Sequence, residues 1–436
     1  MASEITGNYV LDFVIVQTAS LLYLSEAALP LVKKTDSEDQ TLQEINSPPI
    51  AAWYEKAACN SLKALPGAAK PCMKTTGLSI QVLSELTNII NNYKMQTYLA
   101  KPSLHKDWRV IAAISLQFCL EYLEANPCSP EDIAAVLEGG TCFLNAGLQD
   151  EDSKDYMPDL KELYDRLIAE TDVSLEGTMA LAGVLRATAA WHAYNGFNHR
   201  DSYITSLALE VLNRKSRTGL FHFSPSGYAP VSLGQQFYIL DALIKAYPYI
   251  QLESTLEEAF NIFNNLYRIA YKDPYEMFTF RHRSISYTPF DIGALLSCLD
   301  SISKYSSEGS EQKAMLERIT EDFMNALITS YKEAHKQDIS RLIRWICLYR
   351  ECKLPAESKP VINTIFPKRI YMKYPAADIS WNRKGIISQM EVFFLCASML
   401  SLLAKNDTVS NAASVQGMDL PALEALKALF EYFLNR

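Results

Sequence analysis

The strongest constraint on this chain is a repeat. "YAPVSLGQQFYILDALIK" (228–245) and "YTPFDIGALLSCLDSISK" (287–304) align without a gap at an offset of 59 residues, sharing Tyr228/Tyr287, Pro230/Pro289, Gly234/Gly293, Leu240/Leu299, Asp241/Asp300 and Lys245/Lys304. Upstream, "LFHF" (220–223) answers "MFTF" (277–280) at an offset of 57. A period near 59 exceeds the roughly 33–34 residues of ankyrin and tetratricopeptide units and suits a large helical hairpin.

Each unit predicts an apolar helix (235–247; 291–305), with Phe237, Leu240, Ile244 and Tyr247, then Ile292, Leu295, Leu299 and Ile302, at helical spacing. A second helix follows (254–272; 312–334). Ser232 and Gln235 fit a capping box, and Asp291, at the 59-residue equivalent of Ser232, reads as an N-cap. Paired apolar segments continue at 10–27 with 50–64, 79–97 with 107–125, 130–146 with 157–170, and at 338–352, 386–405 and 420–435. The expectation is an all-α chain of about a dozen helices, read as one domain over 1–436 with elaborated loops at 33–49 and 352–385.

Composition is that of an ordinary globular protein of 436 residues, 49% hydrophobic and 21% charged, long enough to bury a core without staples. A net charge of −9 with no long basic run argues against nucleic acid or an anionic membrane surface as partner. The most membrane-like stretch, 10–32, is interrupted by Asp12 and Glu26 and reads as an amphipathic helix rather than a span. Most of the nine cysteines sit in apolar runs and favour the cytoplasm, whereas a Cys59–Cys72 pair would favour export. No zinc spacing, nucleotide-phosphate loop or nucleophile elbow occurs, so no metal or cofactor is expected.

Helix pairs of this length joined by "TGLF"-like connectors resemble the six-hairpin α/α toroids, which include many glycoside hydrolases, polysaccharide lyases and sugar 2-epimerases. The resemblance spans about 75–405 and rests on architecture. It implies inner helices converging on a central cavity, with the connecting loops at one end forming a cleft for a small molecule or oligosaccharide. An open α-solenoid shares the local pattern without the closure.

Candidate site residues come from the connectors. "RHR" supplies Arg281 and Arg283 as an anion fork, with His282 or Tyr287 as proton carrier; a salt-bridged loop is the alternative. His222, flanked by Phe221 and Phe223, points opposite to both rings in an extended piece. The Phe side chains of "GLFHF" and "EMFTF" are expected beneath the rim, with His222 and Tyr228 turned to the cleft. "DISWNRKGIISQME" offers Asp378 as a catalytic carboxylate, Trp381 as a stacking platform, and Arg383 and Gln389 as ligand contacts; capping and packing are the alternative roles. Asp291 and Glu176 are the candidate carboxylate partners of Asp378. Asn198, His199 and Arg200 lie in a turn within one hairpin, the wrong end for a cleft. The chain therefore reads as a carbohydrate-active protein binding a neutral or anionic sugar, of hydrolase, lyase or epimerase type, or as a non-catalytic binding or scaffold protein.

Overall fold

The computed structural model describes residues 71–92, 103–147, 154–174, 176–197, 200–224, 230–250, 252, 254–272, 277–278, 288–320, 369–371, 378–380 and 389–403. The helices are α1 (Met73–Asn92), α2 (Ser103–Ala125), α3 (Pro130–Asn145), α4 (Met157–Glu170), α5 (Thr178–Tyr194), α6 (Ser202–Asn213), α7 (Leu233–Ala246), α8 (Ser254–Ala270), α9 (Pro289–Ser303) and α10 (Gln389–Leu403). Residues 311–320 are also helical. A 3-10 turn (Tyr247–Tyr249) follows α7, and there are two short antiparallel ribbons: β1 (Tyr271–Lys272) with β2 (Met277–Phe278), and β3 (Arg369–Tyr371) with β4 (Asp378–Ser380). The second falls inside the expected loop 352–385. The expected segments 10–27, 50–64, 338–352 and 420–435, the apolar stretch 10–32 and Cys59 lie outside the described residues, and Cys72 is a free thiol.

Two kinds of helix alternate. In α4 the buried residues are Leu160, Leu163 and Leu167, a single stripe at helical spacing. In α9 every residue from Ile292 to Leu299 is buried, as is α10 from Phe393 to Leu400. A one-stripe helix covers a core from outside, and a helix buried on all sides stands within it. The inner helices pack in the order α1, α3, α5, α7, α9, α10, and α10 packs back against α1. That contact closes the ring and excludes the open solenoid. α2, α4, α6 and α8 lie outside.

Capping boxes start three inner helices: Ser129 with Asp132 at α3, Ser232 with Gln235 at α7, and Thr288 with Asp291 at α9. The Ser232 box is as expected, whereas Asp291 is the third residue of its helix and Thr288 is the N-cap. From Ser232 to Thr288 is 288 − 232 = 56 residues. The inner helices are thus equivalent at 56, three residues short of the register that best aligns the sequences. The cause is pairing along the helix: Asp241–Lys245 and Asp300–Lys304 are both i,i+4 ion pairs, so their spacing recurs at a different height.

Candidate functional site

A cavity of about 140 Å3 opens among the inner helices, and all six line it. Its outer level is made by Lys74, Glu131, Met179, Phe290 and Met390, each the second residue of its helix. One turn deeper come Leu78, Ala135, Gly183, Tyr238 and Phe394, each the sixth, and Gln81 and Glu138, both ninth residues, lie deepest. The inner helices therefore run parallel, and the cavity lies at their N-terminal end. At roughly 10–15 Å3 per water the space holds on the order of ten waters, enough for one ring-sized ligand.

The cavity has two faces. On α1 and α3 it is polar, with Lys74, Gln81, Glu131 and Glu138. Lys74 pairs with Glu131, and Gln81 Nε2 donates to Glu85 at 3.1 Å. On α7, α9 and α10 it is aromatic: Phe290 and Phe394 stack with centroids 5.0 Å apart, and Tyr238 tilts against them at 5.7 and 5.5 Å. Leu78, Ala134 and Ala135, between the polar groups of α1 and α3, and Met179, Gly183 and Met390 fill the remaining wall.

The ninth residues of successive inner helices, Gln81, Glu138, Arg186, Asp241 and Ser297, form a polar layer at the base. Arg186 Nη2 donates to Glu138 Oε1 at 3.0 Å, and its Nη1 pairs with Asp241. Asp241, fully buried, accepts from Ser297 Oγ at 2.9 Å and Ser301 Oγ at 2.6 Å and pairs with Lys245 at 3.0 Å. The guanidinium carbon lies 5.0 Å from the Tyr238 ring centroid and 5.6 Å from that of Phe394. Burial alone would push the Asp241 carboxyl up, but Lys245, Arg186 and Ser301 outweigh it and hold it at about 2. Burial likewise opposes the charge on Arg186, and Glu138 and Asp241 keep it cationic. Burial pushes the Tyr238 phenol up, with Arg186 opposing, so it stays protonated.

Of the residues singled out in the sequence, Tyr228, Arg281, His282, Arg283, Tyr287, Trp381 and Arg383 lie outside the described residues. His222 is half-buried on the connector before α7, where its N–H donates to Arg214 O at 3.0 Å. The connector is fixed at the cavity end, since Thr178 donates through its N–H to Phe223 O (3.1 Å) and through Oγ1 to His222 O (2.6 Å). Phe221 is buried as expected, its backbone N–H bonded to Gln236 Oε1. Phe223 corrects the expectation: it is 61% exposed, because side chains alternate across an extended segment only while it stays extended, and the chain bends at Phe223 and Ser224. Asp378 lies in β4, and Gln389 opens α10 next to the cavity-lining Met390. Asp291 closes its capping box, its carboxyl raised by burial against the Thr288 hydrogen bonds. Glu176 offers its carbonyl to Arg214. The α5–α6 turn that includes Arg200 is at the C-terminal end of α5, away from the cavity.

The groups that reasoning from sequence missed are Glu138, Arg186 and Tyr238. Their signal was a lone Arg in "ALAGVLRATAAW" and a lone Asp in "FYILDALI", each a charge in an apolar helix that demands a buried partner. Among the described residues no group of three or more His, Cys, Asp or Glu is placed to hold a metal, and no helix is long and apolar enough to cross a membrane.

No protein-family model and no curated protein matches this chain. A solved structure does: that of an unsaturated glucuronyl hydrolase specific for heparin superposes with a TM-score of 0.50 over 91% of this chain and 99% of that one, at 12% identity. The fold is the α/α toroid. At that identity the likeness speaks for the fold, closed by six inner helices, and the toroid of this chain carries its own cavity lining.

Proposed function

We propose that this toroid is a carbohydrate-active protein that takes one sugar residue into its central cavity, as an enzyme of hydrolase, lyase or epimerase type. The observation that carries the reading is the two-faced wall. A pyranose has an apolar C–H face and a rim of hydroxyls, and a three-ring aromatic cluster opposite Gln81, Glu131 and Glu138 complements both. A solved structure of similar fold is that of an unsaturated glucuronyl hydrolase specific for heparin, which supports the same ligand class. Arg281, Arg283 and Arg383, in the segments leading to α9 and α10, would meet an acidic substituent, with His282, Tyr287, Asp378 and His222 as candidate proton carriers and Tyr228, Trp381 and Gln389 as ligand contacts.

A non-catalytic binding protein is the second reading. It is favoured by one fact: Lys74, Glu131 and Glu138, the charged side chains described on the wall, are all ion-paired. Incubation with an unsaturated glucuronyl disaccharide of heparin separates the readings. Loss of the ultraviolet absorbance of the conjugated uronate, at a rate proportional to protein, is expected for the enzyme. Saturable binding with neither that loss nor any new product from this or a saturated uronide supports the second reading, and no binding of either overturns both.

A further inference from the structure

We infer that Glu138 and Tyr238 form a hydroxyl-reading pair at the base of the cavity, Glu138 accepting from the ligand and Tyr238 donating to it, so that this wall takes ring hydroxyls and turns a carboxylate away. The inference rests on the saccharide reading above and names the part of the sugar that faces inward.

Glu138 lines the cavity with its side chain 16% exposed. Oε1 is held by Arg186 at 3.0 Å, and among the described residues no hydrogen bond or ion pair engages Oε2. Arg186 cannot follow a ligand: it is 5% exposed, tied also to Asp241, and packed beside the Tyr238 and Phe394 rings. The carboxylate is therefore fixed in place with one oxygen available, the arrangement of a preorganised acceptor.

Tyr238 reaches the cavity from α7, on the other side of α5 from Glu138. Its hydroxyl has no hydrogen bond among the described residues. It lies beside Gly183, where an added Cβ would stand 3.6 Å from the hydroxyl oxygen, an ordinary contact distance. Burial keeps the phenol protonated and hence a donor. Acceptor and donor thus flank the Arg186 guanidinium, which suits two neighbouring ring hydroxyls.

A ligand carboxylate at the same place would meet Glu138, with Glu131 two turns up the same helix. The nearby cations are already committed, Lys74 to Glu131 and Arg186 to two carboxylates. A hydroxyl incurs no such repulsion. An acidic sugar would therefore enter hydroxyls first, its carboxylate directed away from α3.

The test is ligand-observed NMR titration of the full chain with methyl β-glucopyranoside and methyl β-glucuronide, on wild type, Glu138→Gln and Tyr238→Phe. Glu138→Gln is expected to weaken both probes by a similar factor, about tenfold or more, as for a lost charge-assisted hydrogen bond, and Tyr238→Phe by roughly two- to tenfold. If Glu138→Gln tightens the glucuronide and leaves the glucoside unchanged, Glu138 only repels and the inference fails; unchanged affinity for both probes overturns it as well. Should Glu138→Gln not fold, Tyr238→Phe, which keeps the ring and its packing, decides alone, and unchanged binding overturns the pair. Binding of both probes by wild type keeps the saccharide reading whatever the variants do, and binding of neither overturns that reading and this inference together.

Discussion

Arg186 and Asp241 show what single residues do in this ring. A buried charge survives in a protein interior only with partners, and here the partners come from four different inner helices: Glu138, Arg186, Asp241, and Ser297 with Ser301. The network therefore fixes the heights of α3, α5, α7 and α9 relative to one another as well as satisfying charge. Asp241 has a pH signature. Its folded-state value of about 2 lies below the ordinary 3.8, so its contribution to stability is present above pH ~4 and lost as pH falls towards 2. A shift of that size corresponds to on the order of 2 kcal/mol. Asp241→Asn should lower stability at pH 7 by about 3–5 kcal/mol, because Arg186 and Lys245 lose a buried counter-charge. It should also flatten the acid limb between pH 4 and pH 2, measured by urea unfolding at stepped pH. Parallel loss of stability in wild type and variant over that window would show that Asp241 is not the titrating group.

At the scale of elements, helix identity was legible in the sequence and helix register was not. Periodicity placed an apolar helix and a second helix in each unit, and α4 begins and ends where its periodicity places it, at 157 and 170. The repeat gave the right partner helices, α7 and α9, at an offset three residues too long, since identical residues mark ion pairs along a helix and only caps mark height. The cavity was less legible still, because its groups come from the second, sixth and ninth residues of six helices and no local motif joins them. Some of the register is written in glycine. A Cβ on Gly139 would overlap the carbonyl of Gly77, and one on Gly77 would overlap the carbonyl of Ala135, so α1 and α3 meet backbone to backbone. Gly139→Ala replaces the poorest helix former but one with the best, yet it is expected to destabilise by about 1–3 kcal/mol through overpacking. Thermal unfolding would show a lowered melting temperature. A raised one would mean that helix propensity outweighs the clash and that the two backbones can separate.

At the scale of the molecule, closure decides the electrostatics. Because α10 returns to α1, six parallel helices surround one space and point their N-terminal ends at it. Each N-terminus carries about half a positive charge and stabilises an anion by roughly 0.3–1 kcal/mol at low ionic strength. The side chains described at the wall nearly cancel, Lys74 against Glu131 and Arg186 against Glu138 and Asp241. Among the described residues the backbone field is then the main charge felt at the outer level, where the proposed Arg281, Arg283 and Arg383 would add to it, while Glu138 repels anions at the base. An acidic sugar, bound as proposed, would have its best position with the carboxylate at the level of Lys74 and Glu131, where a ring of helix ends is nearest. Such a field is screened by salt over about 10 Å at 0.1 M. Affinity for methyl β-glucuronide should therefore fall as sodium chloride rises from about 0.01 to 1 M, the range over which the screening length shrinks from about 30 to 3 Å. Affinity for methyl β-glucopyranoside should stay flat, as followed by the same NMR titration. Equal slopes for the two probes would mean that neither the aligned helix ends nor the proposed arginines act on the ligand, and that acidic and neutral sugars are held by the aromatic wall and Glu138 alone.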